Sequence, residues 1–308
     1  MAAGGVTLIL GITAVTLGTA EGLVGRHERA IDAAAPRAIA GGRYEASGVA
    51  HVPGSNQLLF VDDGRPREIF LMEITADGRQ QGRAVPVSLA ANITDLEGIT
   101  SDGRHFYVVG SQSKTTGFEG DGLVRFTYDP ATRKTDRVER IVGLKAWLAM
   151  NVAELRGTER RVGDDVLNVE GLAWDPVGNR LLLGLRAPVV DGEALVVPIR
   201  LKDPSGAFSR ENLQLDGPTI RVGLNGAGIR SLEYDERAKA FRLIAGAGLN
   251  RENRDFRVVE WNGKAGSPLP DIATFSRRLK PEGITRATLD GRVVSVIVFD
   301  VGRFVVVE

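Results

Sequence analysis

The sequence predicts an all-β protein, a five-bladed β-propeller, on three observations. Five short segments repeat a pattern in which a polar residue precedes Gly or Ser and then an aliphatic residue. These segments recur at intervals of 50 to 73 residues, and each is followed by a turn and a second apolar run. Strand–turn–strand units at about this spacing are typical of propeller blades, which have four antiparallel strands each. The segments begin at Ser47, Glu97, Glu170, Arg230 and Glu282.

Turn sequences separate the first two strands of each unit. Pro53–Asn56 lies between the first pair of apolar runs, and Asp102-Gly103 lies between the second pair. Because Gly, Pro, Asn and Asp favour tight turns, these runs indicate antiparallel hairpins. Third and fourth strands follow in the first four units, as in Glu68–Ile74 and Arg83–Leu89 of the first.

The fifth unit has only three predicted strands before the sequence ends. Because an open sheet edge is unfavourable, we expect a strand from the region before Ser47 to complete this blade and close the ring. The longest interval contains Lys145–Arg156, whose apolar residues Leu148, Val152 and Leu155 predict an inserted helix. A sixth blade is the alternative interpretation of the long interval.

Composition limits the function classes. The 308 residues include 39 basic and 39 acidic side chains, so no basic bias favours nucleic acid, and no nucleic-acid partner is expected. The chain has no Cys, which excludes disulfides, thiolate catalysis and Cys-ligated metal sites. We expect residues 23–308 to form one domain.

The apolar run Val6–Ala20 has two interpretations. It fits the apolar core of a signal peptide within residues 1–22, or else a buried strand. It is too short and too rich in Gly and Thr for a membrane span, so no strong membrane association is expected. The signal-peptide interpretation predicts a periplasmic or secreted protein, and the alternative is a cytoplasmic one.

The first residue of each repeat is predicted to face the central channel. The innermost strand of a blade runs beside the channel axis, and side chains alternate along a strand. Gly at the next position lets neighbouring backbones approach closely. Five blades therefore bring the five repeat-start residues, three of them glutamates, to one level of one channel.

Three neighbouring carboxylates require a positive partner or a bound proton. One candidate partner is calcium, which prefers oxygen ligands and tolerates irregular geometry, held by Glu97, Glu170 and Glu282. The other is internal, because Arg230 lies in the ring and Arg186 ends a strand of the third blade. A structural ion-pair plug, a metal site and a site for an anionic ligand all remain open.

Further candidates lie near the ends of strands. Asp63, Ser111 and Asp300 follow second strands of their blades, where they either surround the channel mouth or form turns. His51, in the first inner strand, is a candidate general base, or it packs between blades. With Ser47, Arg186 and Arg230 as further ligand contacts, these residues complete the predicted site.

Several runs resemble the motifs of a bacterial family of unknown function. They are Asn168–Ala173 with Leu182–Pro188, Asp95–Ile99 with Gly110-Ser111, and Lys280–Ile284. The Glu-Gly-aliphatic starts are also distantly similar to those of calcium-dependent propeller hydrolases, which include gluconolactonase-like lactonases and phytase-like esterases. This second resemblance implies that Glu97, Glu170 and Glu282 bind calcium. The chain departs from it because Arg230 occupies one ring position and no repeated Asn-Gly start occurs.

Two functional hypotheses follow. The first is a calcium-dependent hydrolase of an ester, lactone or phosphoester at the channel mouth, with His51 or Asp63 as base. The second is a non-catalytic propeller of the cell envelope that binds a protein or a small anionic molecule through Arg186 and Arg230. The sequence does not predict the oligomeric state.

Overall fold

The computed structural model describes residues 35–114, 120–246 and 255–307. In these residues, antiparallel strands form five sheets that are arranged as the blades of a five-bladed propeller. The predicted fold class is therefore confirmed. The predicted signal peptide and the apolar run Val6–Ala20 lie outside the described residues.

Blades 1 and 2 each contain four consecutive strands. Blade 1 consists of β2 (Ala46–His51), β3 (Gln57–Asp62), β4 (Glu68–Glu73) and β5 (Val85–Ser88). Blade 2 consists of β6 (Leu96–Ser101), β7 (Phe106–Gly110), β8 (Gly122–Asp129) and β9 (Lys134–Val142).

Blade 3 differs from the prediction at its outer edge. It consists of β10 (Asn168–Asp175), β11 (Arg180–Ala187), β12 (Ala194–Leu201), β13 (Leu213–Leu215) and β14 (Ile220–Val222). A single outer strand was expected at 219–224, but β13 and β14 pair with different halves of β12. The turn around Gly217, whose φ is 102°, interrupts the outer strand, because this backbone angle is rare in a strand.

Blade 4 and blade 5 complete the ring. Blade 4 consists of β15 (Gly228–Asp235), β16 (Ala240–Gly246), β17 (Phe256–Trp261) and β18 (Asp271–Phe275). Blade 5 consists of β19 (Pro281–Leu289), β20 (Arg292–Phe299), β21 (Arg303–Val307) and the short β1 (Arg37–Ala38). Because β1 pairs antiparallel with β21, the predicted closure by an N-terminal strand is confirmed.

The inner strands surround the channel in sequence order. Each of β2, β6, β10, β15 and β19 contacts the next, and β19 returns to β2. Glycine makes this approach possible: a Cβ added at Gly48 would lie 2.6 Å from the carbonyl oxygen of Glu97, and one at Gly283 would lie 2.9 Å from Gly48 Cα. Side chains at these two positions would therefore push the inner strands apart.

The predicted insertion forms α1 (Leu144–Asn151), followed by 3₁₀ turns at Ala153–Leu155 and Thr158–Arg160; a third 3₁₀ turn, Arg210–Asn212, precedes β13. Leu148, Val152 and Leu155 are buried in the apolar cluster between blades 2 and 3, so the helical prediction is confirmed. Similar apolar clusters join neighbouring blades around the ring. Within the described residues, no helix is long and apolar enough to cross a membrane.

Candidate functional site: a polar channel mouth

The five ring residues occupy equivalent positions in the five blades. In each blade the pairing of the inner strand with its neighbour shifts by one residue at the ring position, so the ring residue is the extra residue of a β-bulge. A bulge bends the strand and redirects one side chain. The predicted ring therefore has a structural basis, the bulge, that the repeat pattern did not reveal. These residues are Ser47, Glu97, Glu170, Arg230 and Glu282.

Arginines pair with the carboxylates on the side of blades 3, 4 and 5. The guanidinium of Arg230 donates from Nη1 to Glu170 Oε1 at 3.1 Å, and its Nη2 donates to Glu282. Arg186 Nη1 donates to Glu170 Oε1 at 2.8 Å, and Asn168 Nδ2 donates to the same oxygen at 3.1 Å. Burial acts to lower the pKa of Arg230, but the two carboxylates outweigh this effect and raise it.

Glu97 lacks such a partner. Among the residues that the structure describes, its half-buried carboxyl group makes no hydrogen bond or ion pair. Burial raises the pKa of Glu97 well above the usual range, and the charges of Glu170, Asp95 and Glu282 act in the same direction. The protonated form of Glu97 is therefore favoured more than in an ordinary glutamic acid side chain.

A second polar layer lies two residues before the ring in four blades. Its members are Glu45, Asp95, Asn168 and Lys280. Asp95 and Lys280 lie just before their inner strands, with positive φ values of 59° and 45°, so strand alternation does not place this layer. The only signal in the sequence for this layer is that polar residues recur two positions before four of the five repeat starts.

The candidates at the ends of second strands contact this second layer. Ser111 Oγ donates to Asp95 Oδ2 at 2.5 Å, and Lys280 Nζ donates to Asp300 Oδ2 at 2.6 Å. Asp63 hydrogen-bonds with Glu45; burial is the largest cause that raises the pKa of Asp63, to about 7, and this hydrogen bond adds to it. The three residues therefore lie at the same end of the channel as the ring.

Residues that were not predicted extend the acidic side of the mouth. Ser113 Oγ donates to Asp164 Oδ1 at 2.7 Å. The ammonium group of Lys114 lies 3.9 Å from Asp95 Oδ1 and 3.8 Å from Asp164 Oδ1. Burial raises the pKa of Asp95, while the hydrogen bond from Ser111 and the charge of Lys114 oppose this change.

His51 does not join the site. It ends β2, whereas Ser47 lies near the start of that strand, so about 13 Å of backbone separates the two residues. Its Nε2 lies 2.8 Å from the carbonyl oxygen of Ser55, in the turn at the other end of the blade. Of the two interpretations of His51, the distance disfavours the general base, because the inner strand runs along the channel and carries its two ends to opposite mouths.

The proposed calcium ligands do not fit the ion as they are arranged. Arg230 lies between Glu170 and Glu282 and uses an oxygen of each, and a fixed cation beside a calcium site is electrostatically costly. Within residues 35–114, 120–246 and 255–307, no group of three or more His, Asp or Glu side chains is placed to hold a metal ion. Calcium binding by the three glutamates stays a prediction, and no catalytic step is assigned to the ion.

These features define the protein as a five-bladed β-propeller with a polar channel mouth. The profile of the family described as "Protein of unknown function (DUF3616)" matches residues 161–284. This match confirms the predicted resemblance to a family of unknown function and covers the runs that begin at Asn168 and Lys280. No curated protein matches the chain.

Two solved structures illustrate what the chain is similar to. The holo form of the PQQ domain of pyranose dehydrogenase from Coprinopsis cinerea is 10% identical, with a TM-score of 0.50 over 90% of this chain and 96% of that one. The apo form of the soluble aldose sugar dehydrogenase from Escherichia coli is 12% identical, with a TM-score of 0.46 over 88% of this chain and 98% of that one. At these identities the likeness concerns the fold alone.

Proposed function

We propose that the channel mouth is the active site of a hydrolase that acts on small uncharged esters or lactones by general acid–base chemistry. One observation carries the proposal. Glu97 and Asp63 are carboxyl groups with a raised pKa at one mouth, and the charge of Asp95 acts on both of them. Carboxyl groups whose pKa approaches the working pH are suited to proton transfer.

The proposed roles follow from the protonation states. Ionised Asp63 accepts a proton from water, whose oxygen bonds to the carbonyl carbon of the substrate. Protonated Glu97 donates its proton toward the carbonyl oxygen. When the bond between the carbonyl carbon and the leaving oxygen breaks, the leaving oxygen takes the proton from Asp63, and the carbonyl re-forms and returns the other proton to Glu97.

The charges at the mouth favour an uncharged substrate. Glu45, Asp63 and Asp95 lie on the side of blades 1 and 2, where Lys114 is a nearby cation. The arginines of the ring are already paired with carboxylates. A phosphoester would meet this acidic side at an electrostatic cost. We therefore favour esters and lactones over the anionic substrates that the sequence left open.

Hydrolysis of an uncharged lactone, followed in a pH-stat, tests the proposal. We expect Glu97→Gln and Asp63→Asn each to lower kcat by about 100-fold or more, which is typical for loss of a general acid or base. The matched control is Glu233→Gln, which replaces another buried carboxyl group with a raised pKa, but one that contacts Thr285 farther along the inner strands. Activity equal to wild type in Glu97→Gln would refute the role of Glu97.

A second candidate function is ligand binding without turnover. An ion-pair network favours this function, because it fixes the ring in one arrangement and none of its members needs to transfer a proton. The network consists of Arg186, Glu170, Arg230 and Glu282. If no uncharged ester or lactone is hydrolysed by the wild-type protein, the binding function becomes the better account of the mouth.

A further inference from the structure

A second cavity lies between blades 2 and 3, at the end of the propeller opposite the ring. Its volume is about 560 Å³, within the usual range for small-molecule sites. Arg180, at the start of β11, lines this cavity, whereas Arg186, near the end of the same strand, contacts the ring. About 20 Å of strand separates these two positions, so the cavity and the channel mouth are distinct sites.

Aromatic rings form one wall of the cavity. The rings of Tyr107 in β7 and Trp174 in β10 are stacked, with centroids 6.1 Å apart and planes inclined by 2°. The ring of Phe208 lies 6.2 Å from that of Tyr107, and Leu181 adds a buried aliphatic surface. Such a wall favours a ligand with a flat apolar part.

Cationic side chains also line the cavity. Arg125 pairs with Glu139 at 2.7 Å, and its guanidinium lies 4.6 Å from the centre of the Phe208 ring. Arg180 pairs with Asp175 at 2.9 Å and with Asp216 at 3.3 Å, and Arg200 pairs with Asp216 at 3.0 Å, so both guanidinium groups have carboxylate partners. The cationic residues of the lining are Arg104, Arg125, Arg180, Arg200 and Lys202.

Two of these cations form no ion pair in the described residues, although the charge of Lys202 acts on the exposed carboxyl group of Glu211. In the part of the chain that the structure describes, no carboxylate lies within ion-pair distance of Arg104, and Lys202 Nζ donates to the backbone carbonyl of Glu211. Both residues belong to loops or strand ends at the rim of the cavity. Their charges are therefore available to a ligand.

The carboxylate of Asp102 also lines the cavity, but it is already compensated. It accepts hydrogen bonds from the backbone N–H groups of Arg104 and His105, at 2.8 and 2.6 Å, and from the Tyr107 hydroxyl at 2.8 Å. Burial acts to raise the pKa of Asp102, but these hydrogen bonds outweigh it and lower the pKa. Asp102 thus fixes the rim loop and the Tyr107 ring and keeps its negative charge, so the lining contains five cationic side chains and one carboxylate.

We propose that this cavity binds a small aromatic anion, whose ring lies against the Tyr107 and Trp174 wall and whose charged group contacts Arg104 and Lys202. The proposal joins two independent features, the apolar wall and the excess of cations at the rim. Neither feature belongs to the acidic channel mouth, so the two sites select ligands of opposite character.

Binding of two fluorescent probes to the full chain tests the proposal. Anilinonaphthalene sulfonate is an aromatic anion, and phenylnaphthylamine has the same ring system without the sulfonate. We expect the wild-type protein to bind the anion more tightly. The double variant Arg104→Glu, Lys202→Glu should raise the Kd of the anion by about tenfold or more, which corresponds to about 1.4 kcal/mol, and leave the Kd of the neutral probe within about twofold.

A matched charge-reversal variant separates this site from general charge effects. Lys264→Glu, Arg303→Glu changes the net charge equally at exposed positions on blades 4 and 5, remote from the cavity. We expect it to bind the anion as the wild type does. Equal loss of binding in both double variants, equal affinity for the two probes, or absence of binding to the wild type would overturn the proposal.

Discussion

The two sides of the channel mouth carry similar residues in different electrostatic surroundings. On the side of blades 3, 4 and 5, Glu170 and Glu282 share the guanidinium of Arg230, and Arg186 adds a second cation. On the side of blades 1 and 2, no arginine pairs with Asp63 or Glu97 among the described residues, and the pKa of each is raised. Burial also raises the pKa of Glu282, to about 8, but there the charges of Arg230 and Arg186 oppose the change. The two sides therefore differ in whether arginines compensate their carboxyl groups.

This difference separates a structural role from a chemical one. All five ring residues occupy the same bulge, so backbone geometry does not distinguish the two sides. The two sides differ because of one residue: the arginine at position 230 brings a permanent positive charge to the side of blades 3 to 5. The charges of Arg230 and Arg186 oppose the effect of burial on the pKa of Glu282, whereas no arginine forms an ion pair with Asp63 in the described residues.

Removal of Arg230 should have the largest effect on stability. Arg230→Leu leaves Glu170 and Glu282 buried without their shared cation, and loss of one partner from a buried pair costs about 3–5 kcal/mol. Chemical denaturation should detect this loss at pH 7. The control Arg257→Leu removes a more exposed arginine of the same blade, paired with Asp271 at 3.0 Å, and should cost about 1 kcal/mol or less.

The pH dependence of Arg230→Leu tests the same assignment. At low pH, protons can neutralise Glu170 and Glu282 in place of the missing guanidinium, so the stability of the variant should recover as the pH falls toward 5. A variant as stable as the wild type at pH 7 would contradict the assignment of Arg230 as the cation that holds this side together.

The second-largest effect concerns Asp63, which should make the free energy of unfolding depend on pH. The pKa of Asp63 in the folded protein, about 7, lies above its ordinary value of 3.8, so the folded state binds this proton more tightly. The associated stability is full below about pH 4 and is lost as the pH rises through about 7. Between pH 5 and 8, the wild type should lose about 1 kcal/mol more stability than Asp63→Asn, after allowance for solvent screening.

The control for this pH effect lies on the paired side. Glu170→Gln should lower stability at both pH 5 and pH 8, because it removes an acceptor for Arg186 and Arg230. Thermal melting at the two pH values compares these variants. A pH dependence in Asp63→Asn as steep as that of the wild type would show that another group controls it.

Calcium should have the smallest effect. Since Arg230 already occupies the space between two of the three proposed ligands, we expect millimolar calcium or a chelator to leave the melting temperature unchanged. A ligand that binds the folded state must raise the melting temperature. A rise that is abolished by Glu170→Gln would restore the calcium-dependent hydrolase, and elemental analysis of the purified protein checks for tightly bound metal.

The sequence predicted the fold well because propeller blades are local units. Turn residues such as Asp102-Gly103 and the alternating strands around them act within about 50 residues, and their repetition specifies the architecture. The same repetition identified all five ring residues. Lys280 and Asp95 were not predicted; they precede the inner strands with left-handed backbone, so strand periodicity does not identify them.

Partners across the channel could not be predicted in the same way. Glu170 and Arg230 are 60 residues apart, and the sequence left open whether arginine, calcium or a ligand compensates the glutamates. The cavity between blades 2 and 3 was missed for the same reason, because Tyr107 and Trp174 come from different blades.

By itself, the sequence determined the repeating blades, the closure by an N-terminal strand and the level at which polar residues meet in the channel. Each of these depends on hydrophobic pattern and turn chemistry within a short stretch of chain. Only the tertiary structure decided that Arg230 joins Glu170 to Glu282, that Glu97 lacks an ion pair among the described residues and that His51 faces the opposite end. These outcomes depend on distances between blades, which the closed ring sets and no local pattern encodes.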